Sequence, residues 1–293
     1  MVTLKEDIAG NPLPCNLILD GNLVTVLEKS RIKLERDWDM IGLIAGKEGS
    51  GKTTIAMQMC LAMDAGFNID RIVFNSEGFS DAVDNAPKFS AILWDEADDL
   101  SGNWASPMIQ AIKSKFKRIR KNNLFIILAT PTIFDLSKYF VIGRTNFLIH
   151  VYSKNMQRGL FRYYNESKKR MLFIKGKQFW DMDVEKSLFY GSFRDYPKDF
   201  PIDLDLYDQK KEEATKEILN KSDTPKNARQ HTISHLLDQG IDLEVKGFAE
   251  AFNVGIRTIQ KDLVQIRANE GDVPGEERTA NTIINNAPGD NFL

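Results

Sequence analysis

The feature that most constrains the fold is the segment MIGLIAGKEGSGKTTIAMQM, which spans residues 40–59. A short apolar run leads into a loop with three glycines, and an apolar helical pattern begins directly after the loop. Glycines at such a junction let the backbone turn tightly and let another molecule approach its N–H groups closely. The sequence therefore predicts a buried strand, a loop and a helix in direct succession, with the loop suited to contact with a ligand.

The loop fits the spacing G-x-x-x-x-G-K-[ST], which is typical of nucleoside triphosphate sites. Backbone N–H groups at a helix N-terminus bind phosphate oxygens, and bulky side chains would block that approach. In such loops the lysine, here Lys52, reaches the β- and γ-phosphates, and the hydroxyl of the next residue, Thr53, binds Mg²⁺. A glycine-rich turn without a ligand is the alternative, which the flanking strand and helix disfavour. The predicted cofactors are ATP and Mg²⁺, and the predicted nucleotide contacts are Gly46, Lys47, Glu48, Gly49, Ser50, Gly51, Lys52, Thr53 and Thr54.

A second apolar run, AILWDE, ends in two acids, Asp95 and Glu96. An acid at the end of such a strand can hold the water shell of Mg²⁺, and an adjacent glutamate can orient and polarise the attacking water. We therefore predict Asp95 as a metal ligand and Glu96 as a catalytic residue, together with Lys52. The pair favours a hydrolysing ATPase over a kinase, which would need an acceptor site. The alternative for Glu96 is that it only begins a solvated loop.

Further apolar runs, rich in β-branched residues and separated by helical patterns, predict an α/β fold with a mainly parallel sheet covered on both faces. RIVF (residues 71–74) lies between the loop and the acids in the sequence, which suggests an extra strand separating the loop strand from the acid strand. NLILDGNLVTVL (residues 16–27) predicts two short strands around an Asp20-Gly21 turn. GLFRYY and RMLFIK, separated by NESKK, predict an antiparallel pair appended to the sheet.

Two further residues are candidates for contact with the γ-phosphate. LFIILATPT (residues 124–132) ends a strand at Thr130, where a polar side chain can contact the γ-phosphate or the attacking water. A strand that simply ends in Thr-Pro is the alternative. Arg144 precedes another strand, at a place where a ring-forming ATPase presents an arginine to a neighbouring subunit. Surface arginines are common, so a merely exposed side chain is the alternative, and Arg158 and Arg162 are the second choices.

The order GKEGSGKT, ILWDE, a basic helix, FIILAT and a strand followed by a β-hairpin resembles the FtsK–HerA family, including its zonula-occludens-toxin-like phage and plasmid ATPases. The resemblance covers roughly residues 38–180. It implies a RecA-like P-loop core in a ring-forming homo-oligomer, for example a hexamer, that translocates, packages or transfers the DNA of a phage or plasmid. One position departs from the family pattern, because Thr130 is followed by Pro131 where a polar pair such as Thr-Gln is usual.

Two basic clusters within the core are predicted DNA contacts. KSKFKRIRK (residues 113–121) has no acid among its cations, and phosphate contacts dominate nucleic-acid affinity. The other cluster lies at the predicted tip of the appended hairpin, where it would enter a ring channel. A solvated helix face is the alternative for the first cluster. The predicted contacts are Lys113, Lys117, Arg118, Arg120, Lys121, Lys168, Lys169 and Arg170.

LEVKGFAEAFNVGIRTIQKDLVQIRAN (residues 243–269) predicts two helices joined by a short turn at Asn253-Val254-Gly255. The pattern resembles the helix-turn-helix of bacterial regulators, whose second helix lies in the major groove. A small helical protein-interaction unit is the alternative. The expected core consists of Phe248, Ala249, Phe252, Val254, Ile259, Leu263 and Ile266. The expected DNA-facing residues are Arg257, Thr258, Gln260, Lys261 and Gln265.

Composition limits the remaining function classes. The net charge is -2, so affinity for nucleic acid must come from local patches. Cys15 and Cys60 form no disulfide framework or metal spacing, and the chain has neither a secretory start nor an apolar run of membrane-spanning length, so a cytoplasmic location is expected. The predicted divisions are an N-terminal β-hairpin extension (1–38), the ATPase core (39–200), a charged linker (201–224), a helix-turn-helix domain (225–270) and a disordered tail (271–293).

Together these patterns predict a DNA-dependent ATPase in which a motor core is joined to a DNA-binding helix-turn-helix. A nucleotide-switched DNA-binding regulator and a helicase-loader or partition-type ATPase are the alternatives. The paired acids favour ATP turnover over a slow switch, and the basic helix favours DNA contact within the core itself.

Overall fold

The computed structural model describes residues 1–97, 100, 107–222, 229–230, 232–233, 236–237 and 244–269. The chain divides into two compact units, Met1–Ala214 and Thr215–Leu293. The first unit includes the N-terminal extension and part of the segment that the sequence assigned to a linker. The predicted disordered tail, residues 271–293, lies outside the described residues.

The elements of the first unit alternate between strands and helices for most of its length. Its strands are β1 (Val2–Glu6), β2 (Pro12–Leu19), β3 (Met40–Ala45), β4 (Ile72–Val73), β5 (Ala91–Trp94), β6 (Phe125–Thr130), β7 (Phe147–Lys154), β8 (Gln157–Asn165) and β9 (Phe189–Ser192). Its helices are α1 (Gly21–Glu35), α2 (Lys52–Met63), α3 (Ser76–Asn85), α4 (Pro107–Lys121), α5 (Lys138–Gly143), α6 (Glu166–Gly176) and the first part of α7 (Leu204–Ser222).

A seven-stranded sheet with the order β4-β5-β6-β3-β7-β8-β9 forms the centre of this unit. The first five strands run parallel, and β8 and β9 continue the sheet in antiparallel pairing. Every residue of β3, β5 and β6 is buried, as expected for parallel strands that helices cover on both faces. The predicted α/β class with a mainly parallel sheet is confirmed.

The strand that separates the loop strand from the acid strand is β6, whereas the sequence had suggested RIVF. All six residues of β6 pair with β3, and four of them also pair with β5. RIVF provides only the two-residue strand β4, which pairs with β5 at the edge of the sheet. The long apolar run of β6 can fill a central position buried on both faces, and the short β4 cannot.

The predicted strand pair around Asp20-Gly21 is wrong. The Asp20 carboxylate instead accepts hydrogen bonds from the backbone N–H groups of Asn22 and Leu23 and so caps α1. The buried residues Leu23, Leu27 and Leu34 then lie on one face of that helix. The hairpin of the N-terminal extension is formed by β1 and β2.

The predicted strand RMLFIK is also wrong, because these residues belong to α6. The Asn165 side chain caps this helix by accepting a hydrogen bond of 3.0 Å from the N–H of Lys168. The appended hairpin is formed by β7 and β8, and Asn155 and Met156 at its turn have φ angles of 51° and 62°. Two consecutive positive φ angles are typical of a type I′ hairpin turn.

The second unit contains α8 (Val245–Ala251) and α9 (Ile256–Asn269), joined by a turn in which Asn253 has a φ of 51°. Its buried core consists of Ile233, Phe248, Ala249, Ile259 and Ile266, and the partly buried residues Phe252, Val254 and Leu263 pack against it. The identity of this helix pair as a DNA-binding helix-turn-helix stays a prediction. Across the part of the chain that the structure describes, no helix has the length and apolarity needed to cross a membrane.

Candidate nucleotide-binding site

The glycine loop connects the end of β3 to the start of α2, and it lies at the edge of the sheet where the parallel strands end. Gly51, the N-cap of α2, has a φ of 95°, a conformation that favours glycine. It has no side chain with which to accept the first N–H groups of the helix, so these are left for an anion. Ser50 adds a buried hydroxyl that has no hydrogen-bond partner among the described residues.

Glycine is required at position 46 for a different reason, because neighbouring backbone lies too close for a Cβ atom. A Cβ atom at this position would lie 2.3 Å from the carbonyl oxygen of Val151 in β7 and 3.0 Å from the hydroxyl of Ser50. The glycines of the loop therefore serve both its turn and its packing against the sheet.

Lys52 is the first residue of α2, and its ammonium group donates a hydrogen bond of 3.2 Å to the carbonyl oxygen of Lys47 in the loop. Burial lowers the pKa of Lys52, and the negative charge of Asp95 opposes that change. An anion bound beside this ammonium group would favour its charged form, which is the environment that a phosphate provides.

Thr53 and Asp95 meet beside the loop. The Thr53 hydroxyl donates a hydrogen bond of 3.0 Å to Oδ2 of Asp95, and Asp95 is only 2% exposed. No cluster of three or more potential metal-ligating His, Cys, Asp or Glu residues occurs in the described ranges. Mg²⁺ is usually bound by one or two protein oxygens, phosphate oxygens and water, so the hydroxyl–carboxylate pair fits this ion.

Glu96 lies just beyond the end of β5, and its backbone is in the left-handed region with a φ of 57°. Such a conformation costs a non-glycine residue about 1–3 kcal/mol and is often found at functional positions. The N–H of Glu96 donates a hydrogen bond of 3.2 Å to the Asp95 carboxylate, which helps to hold this conformation. The Glu96 side chain is 47% exposed and lines the cleft beside the loop.

The cleft has a volume of about 640 Å³, which is within the range of small-molecule sites. It brings together the glycine loop, the acid pair and the end of β6. The residues that line it are Glu48, Gly49, Gly51, Lys52, Thr53, Thr54, Asp95, Glu96, Ala129, Thr130, Pro131, Arg158 and Lys211.

Thr130 occupies the end of β6, between the loop strand and the acid strand. It is fully buried and its hydroxyl donates a hydrogen bond of 3.1 Å to the carbonyl oxygen of Thr132. The position therefore adjoins the cleft, and the role of Thr130 as a γ-phosphate sensor stays a prediction.

Arg144 makes contacts within its own chain, and its predicted role toward a neighbouring subunit stays a prediction. This residue precedes β7 and therefore lies at the edge of the sheet opposite the loop. Its guanidinium donates hydrogen bonds of 2.7 Å to the carbonyl oxygen of Phe116 and 3.3 Å to Asp39, both in its own chain.

The second-choice arginines differ in position. Arg162 pairs with Asp183 and lies 4.9 Å from the ring centroid of Tyr152. Arg158 is exposed and lines the cleft of its own chain.

Two residues of the site were missed by the sequence reasoning, Tyr207 and Lys211 of α7. The Tyr207 hydroxyl donates a hydrogen bond to Oδ2 of Asp95, and the Lys211 ammonium group lies 2.8 Å from Oε1 of Glu96. The sequence had assigned this segment to an exposed linker because of its many charges. A tyrosine and a lysine four residues apart, on one face of a predicted helix, were the available signal.

The basic residues of α4 mostly have partners. Lys115 and Arg118 both bind Asp84 of α3, which supplies the acid that α4 itself lacks. Arg120 donates a hydrogen bond of 3.1 Å to the carbonyl oxygen of Asp37, and the Lys113 ammonium group lies 5.1 Å from the ring centroid of Tyr139. Lys121 is exposed, and the Lys117 side chain lies outside the described part.

The cluster predicted at a hairpin tip lies on α6 instead, and one of its members is buried. Lys169 is fully buried and donates hydrogen bonds to the carbonyl oxygens of Val141 and Thr145 and to the Thr145 hydroxyl. It is therefore not a DNA contact. Lys168 binds Glu185 and the carbonyl oxygen of Lys186, and Arg170 is exposed.

On α9, Arg257, Gln260 and Lys261 are exposed and Thr258 is half-buried. Asp262 of the same helix is buried, and its carboxylate accepts hydrogen bonds of 2.6 Å from Arg229 and 2.7 Å from Gln230. The exposed polar residues are therefore distinct from the side chain that stabilises the unit. The Gln265 side chain lies outside the described part.

No family model and no curated protein matches the chain. The N-terminal domain of zonular occludens toxin from Neisseria meningitidis is 18% identical, with 55% of this chain and 96% of that domain covered and a TM-score of 0.38. The genome packaging NTPase B204 from Sulfolobus turreted icosahedral virus 2, in complex with ATP-gammaS, is 16% identical, with coverages of 45% and 94% and a TM-score of 0.34. AMPPCP-bound DnaA from Aquifex aeolicus is 13% identical, with coverages of 92% and 93% and a TM-score of 0.33. The fold assignment rests on the strand order and glycine loop of this chain.

Proposed function

We propose that the protein is a DNA-dependent ATPase. The observation that carries this proposal is the meeting of the Thr53 hydroxyl and the buried Asp95 carboxylate, 3.0 Å apart, beside a glycine loop and next to Glu96. A hydroxyl, two acids and a lysine in one cleft are the groups that ATP hydrolysis requires.

The residues of the cleft would divide the work of hydrolysis. The loop N–H groups and Lys52 bind the phosphates and stabilise the charge that develops on the γ-phosphate. Thr53 and Asp95 would hold Mg²⁺, which neutralises phosphate charge when it is bound. Glu96 orients a water molecule in line with the γ-phosphate and polarises its O–H bond. The products are ADP and inorganic phosphate.

The DNA part of the proposal is supported mainly by α9. Its exposed residues Arg257, Gln260 and Lys261 offer groups that bind phosphates and base edges. The contacts of α4 with Asp84 make its basic face a weaker candidate than the sequence suggested. The order of motifs along the chain, which resembles the FtsK–HerA family, supports a homo-oligomeric motor for phage or plasmid DNA.

The test is the steady-state rate of ATP hydrolysis with and without duplex or single-stranded DNA, with Glu96→Gln as the background to subtract. We expect Glu96-dependent hydrolysis that one form of DNA stimulates. Hydrolysis that depends on Glu96 but not on DNA would contradict the motor and favour a nucleotide-switched regulator or a loader. Absence of Glu96-dependent hydrolysis would refute the proposal that the protein is an ATPase.

A pair of lysine variants tests the DNA surface. Lys261→Ala removes an exposed cation from α9, and Lys246→Ala removes one from α8 of the same unit. We expect Lys261→Ala to weaken DNA binding and Lys246→Ala to leave it near the wild-type value. Equal effects of the two substitutions would contradict the assignment of α9 as the DNA-contacting helix.

A further inference from the structure

Two side chains of α7 contact the two acids of the cleft. Tyr207 and Lys211 are four residues apart, so they lie on the same face of the helix. They contact the consecutive residues Asp95 and Glu96, respectively. All four residues belong to the first unit of the chain.

Tyr207 fixes the position of this part of α7. It is only 7% exposed, and its ring centroid lies 5.5 Å from that of Phe74. Its hydroxyl shares Oδ2 of Asp95 with the hydroxyl of Thr53. The start of α7 is therefore held against the end of β5 by both packing and a hydrogen bond.

Lys211, by contrast, is 34% exposed at its side chain and lines the cleft together with Lys52. Its ammonium group bonds to Oε1 of Glu96, the residue that is expected to polarise water. A carboxylate that is paired with an ammonium group is a weaker hydrogen-bond acceptor for water. The structure thus has a second lysine in the cleft, and the ammonium group of that lysine is paired with the Glu96 carboxylate.

Three positive side chains, Lys52, Arg158 and Lys211, line the cleft together with three acids, Glu48, Asp95 and Glu96. Burial acts to lower the pKa of Lys211, but the hydrogen bond to Glu96 and the charges of Asp95 and Glu96 raise it overall. Lys52 and Lys211 both line this cleft, so their positive charges repel each other. Two ammonium groups that repel each other within one cleft would both gain from a polyanion between them.

We propose that Lys211 is a second phosphate-binding lysine. When a nucleoside triphosphate binds, the Lys211 ammonium group moves from the Glu96 carboxylate to the terminal phosphate. Glu96 is then free to polarise water. The inference rests on the proposed function and adds a cis-acting residue to that site. A diphosphate lacks the terminal group, so it leaves the Lys211–Glu96 pair intact. Lys211 would therefore distinguish the substrate from the product.

The direct test is the binding of ATP and of ADP, each with Mg²⁺, to the full chain by isothermal titration calorimetry. Lys211→Met should lower the ATP affinity about tenfold relative to the ADP affinity, since one charge-assisted hydrogen bond is lost. Lys211→Arg keeps the charge and should retain most of the preference. Lys210→Met is the matched control, because Lys210 is the adjacent residue of α7 and pairs with Asp70 instead.

A second measurement tests the exchange of partners. Glu96→Gln removes the charge that holds Lys211, so it should raise the ATP affinity more in the wild-type background than in Lys211→Met. Equal effects in both backgrounds would show that Glu96 and Lys211 are not coupled. That result would overturn the proposed move of Lys211 from Glu96 to the terminal phosphate.

The outcomes separate this inference from the proposed function. If the wild-type chain binds neither nucleotide, the proposed function fails and the inference fails with it. If the wild-type chain binds and hydrolyses ATP while Lys211→Met keeps the wild-type ratio of ATP to ADP affinity, only the inference is overturned. A loss of ATP preference in Lys210→Met as large as that in Lys211→Met would also overturn it.

Discussion

Replacing Gly46 with alanine should displace the glycine loop from the strand against which it packs. The added Cβ atom would lie 2.3 Å from the Val151 carbonyl oxygen, whereas contacts under 3.0 Å are essentially never seen for a Cβ atom. The loop or β7 must therefore move by about 0.7 Å or more, and both are fixed by the pairing of β3 with β7.

Overpacking of this kind costs about 1–3 kcal/mol of the free energy of unfolding. That is a substantial part of the roughly 5–15 kcal/mol that stabilises a typical domain. The shift should also misplace the N–H groups that bind phosphate, and a displacement near 1 Å can lower a reaction rate about a hundredfold. Gly46→Ala should therefore lose both stability and ATP turnover.

Urea unfolding followed by tryptophan fluorescence, together with ATP hydrolysis, measures both effects. Gly143→Ala is the matched control, because a Cβ atom at the end of α5 meets nothing within 4 Å. We expect the control to match the wild type or to be stabilised by up to about 1 kcal/mol. If Gly46→Ala matches Gly143→Ala in unfolding midpoint and in turnover, the close packing of the loop on β7 is refuted.

Three further predictions concern single side chains. Lys52→Ala should abolish ATP binding in a calorimetric titration, whereas Lys210→Ala, at a residue that pairs with Asp70 and does not line the cleft, should retain it. Full ATPase activity in Lys52→Ala would contradict the site. Thr53→Val keeps the side-chain shape but removes the hydroxyl that bonds to Asp95, so it should raise the Mg²⁺ concentration needed for half-maximal hydrolysis. An unchanged Mg²⁺ titration would argue against Thr53 and Asp95 as the Mg²⁺-binding pair. Burial lowers the pKa of Lys169 from 10.5 to about 8, so the unfolded chain binds more protons than the folded chain between these values. Raising the pH through this window should therefore add up to about 3 kcal/mol to the free energy of unfolding, and Lys169→Met should lack that increase in urea titrations.

The central strands and the loop could be predicted because their signals are local and strong. The motif at residues 46–53 and the continuous apolar runs of β3, β5 and β6 adopt the structures that their own residues predict. The acid pair could be placed beside the loop because parallel strands end at the same edge of a sheet. Thr53 and Asp95 are indeed in contact.

Other elements depend on contacts that a sequence does not display. Asp20-Gly21 suits both a hairpin turn and a helix start, and the burial of Leu23, Leu27 and Leu34 on one face decides for the helix. RMLFIK is apolar enough for a strand, but the cap at Asn165 and the burial of Leu172 and Phe173 place it in a helix.

Side-chain partners from distant segments were the least predictable feature. Asp84 neutralises cations of α4 that looked free in the sequence, and Asp39 holds Arg144 far from the cleft. Tyr207 and Lys211 enter the site from more than a hundred residues beyond the acids that they contact. Such pairs require the three-dimensional arrangement of the chain.

A single-turnover measurement of bound ATP in the wild-type chain and in Glu96→Gln tests the nucleotide site and its catalytic residue most directly. We expect both proteins to bind ATP, the wild-type chain to release phosphate, and Glu96→Gln to retain unhydrolysed ATP. Equal rates of phosphate release in the two proteins would contradict the catalytic assignment of Glu96, and absence of ATP binding to the wild-type chain would contradict the nucleotide site itself.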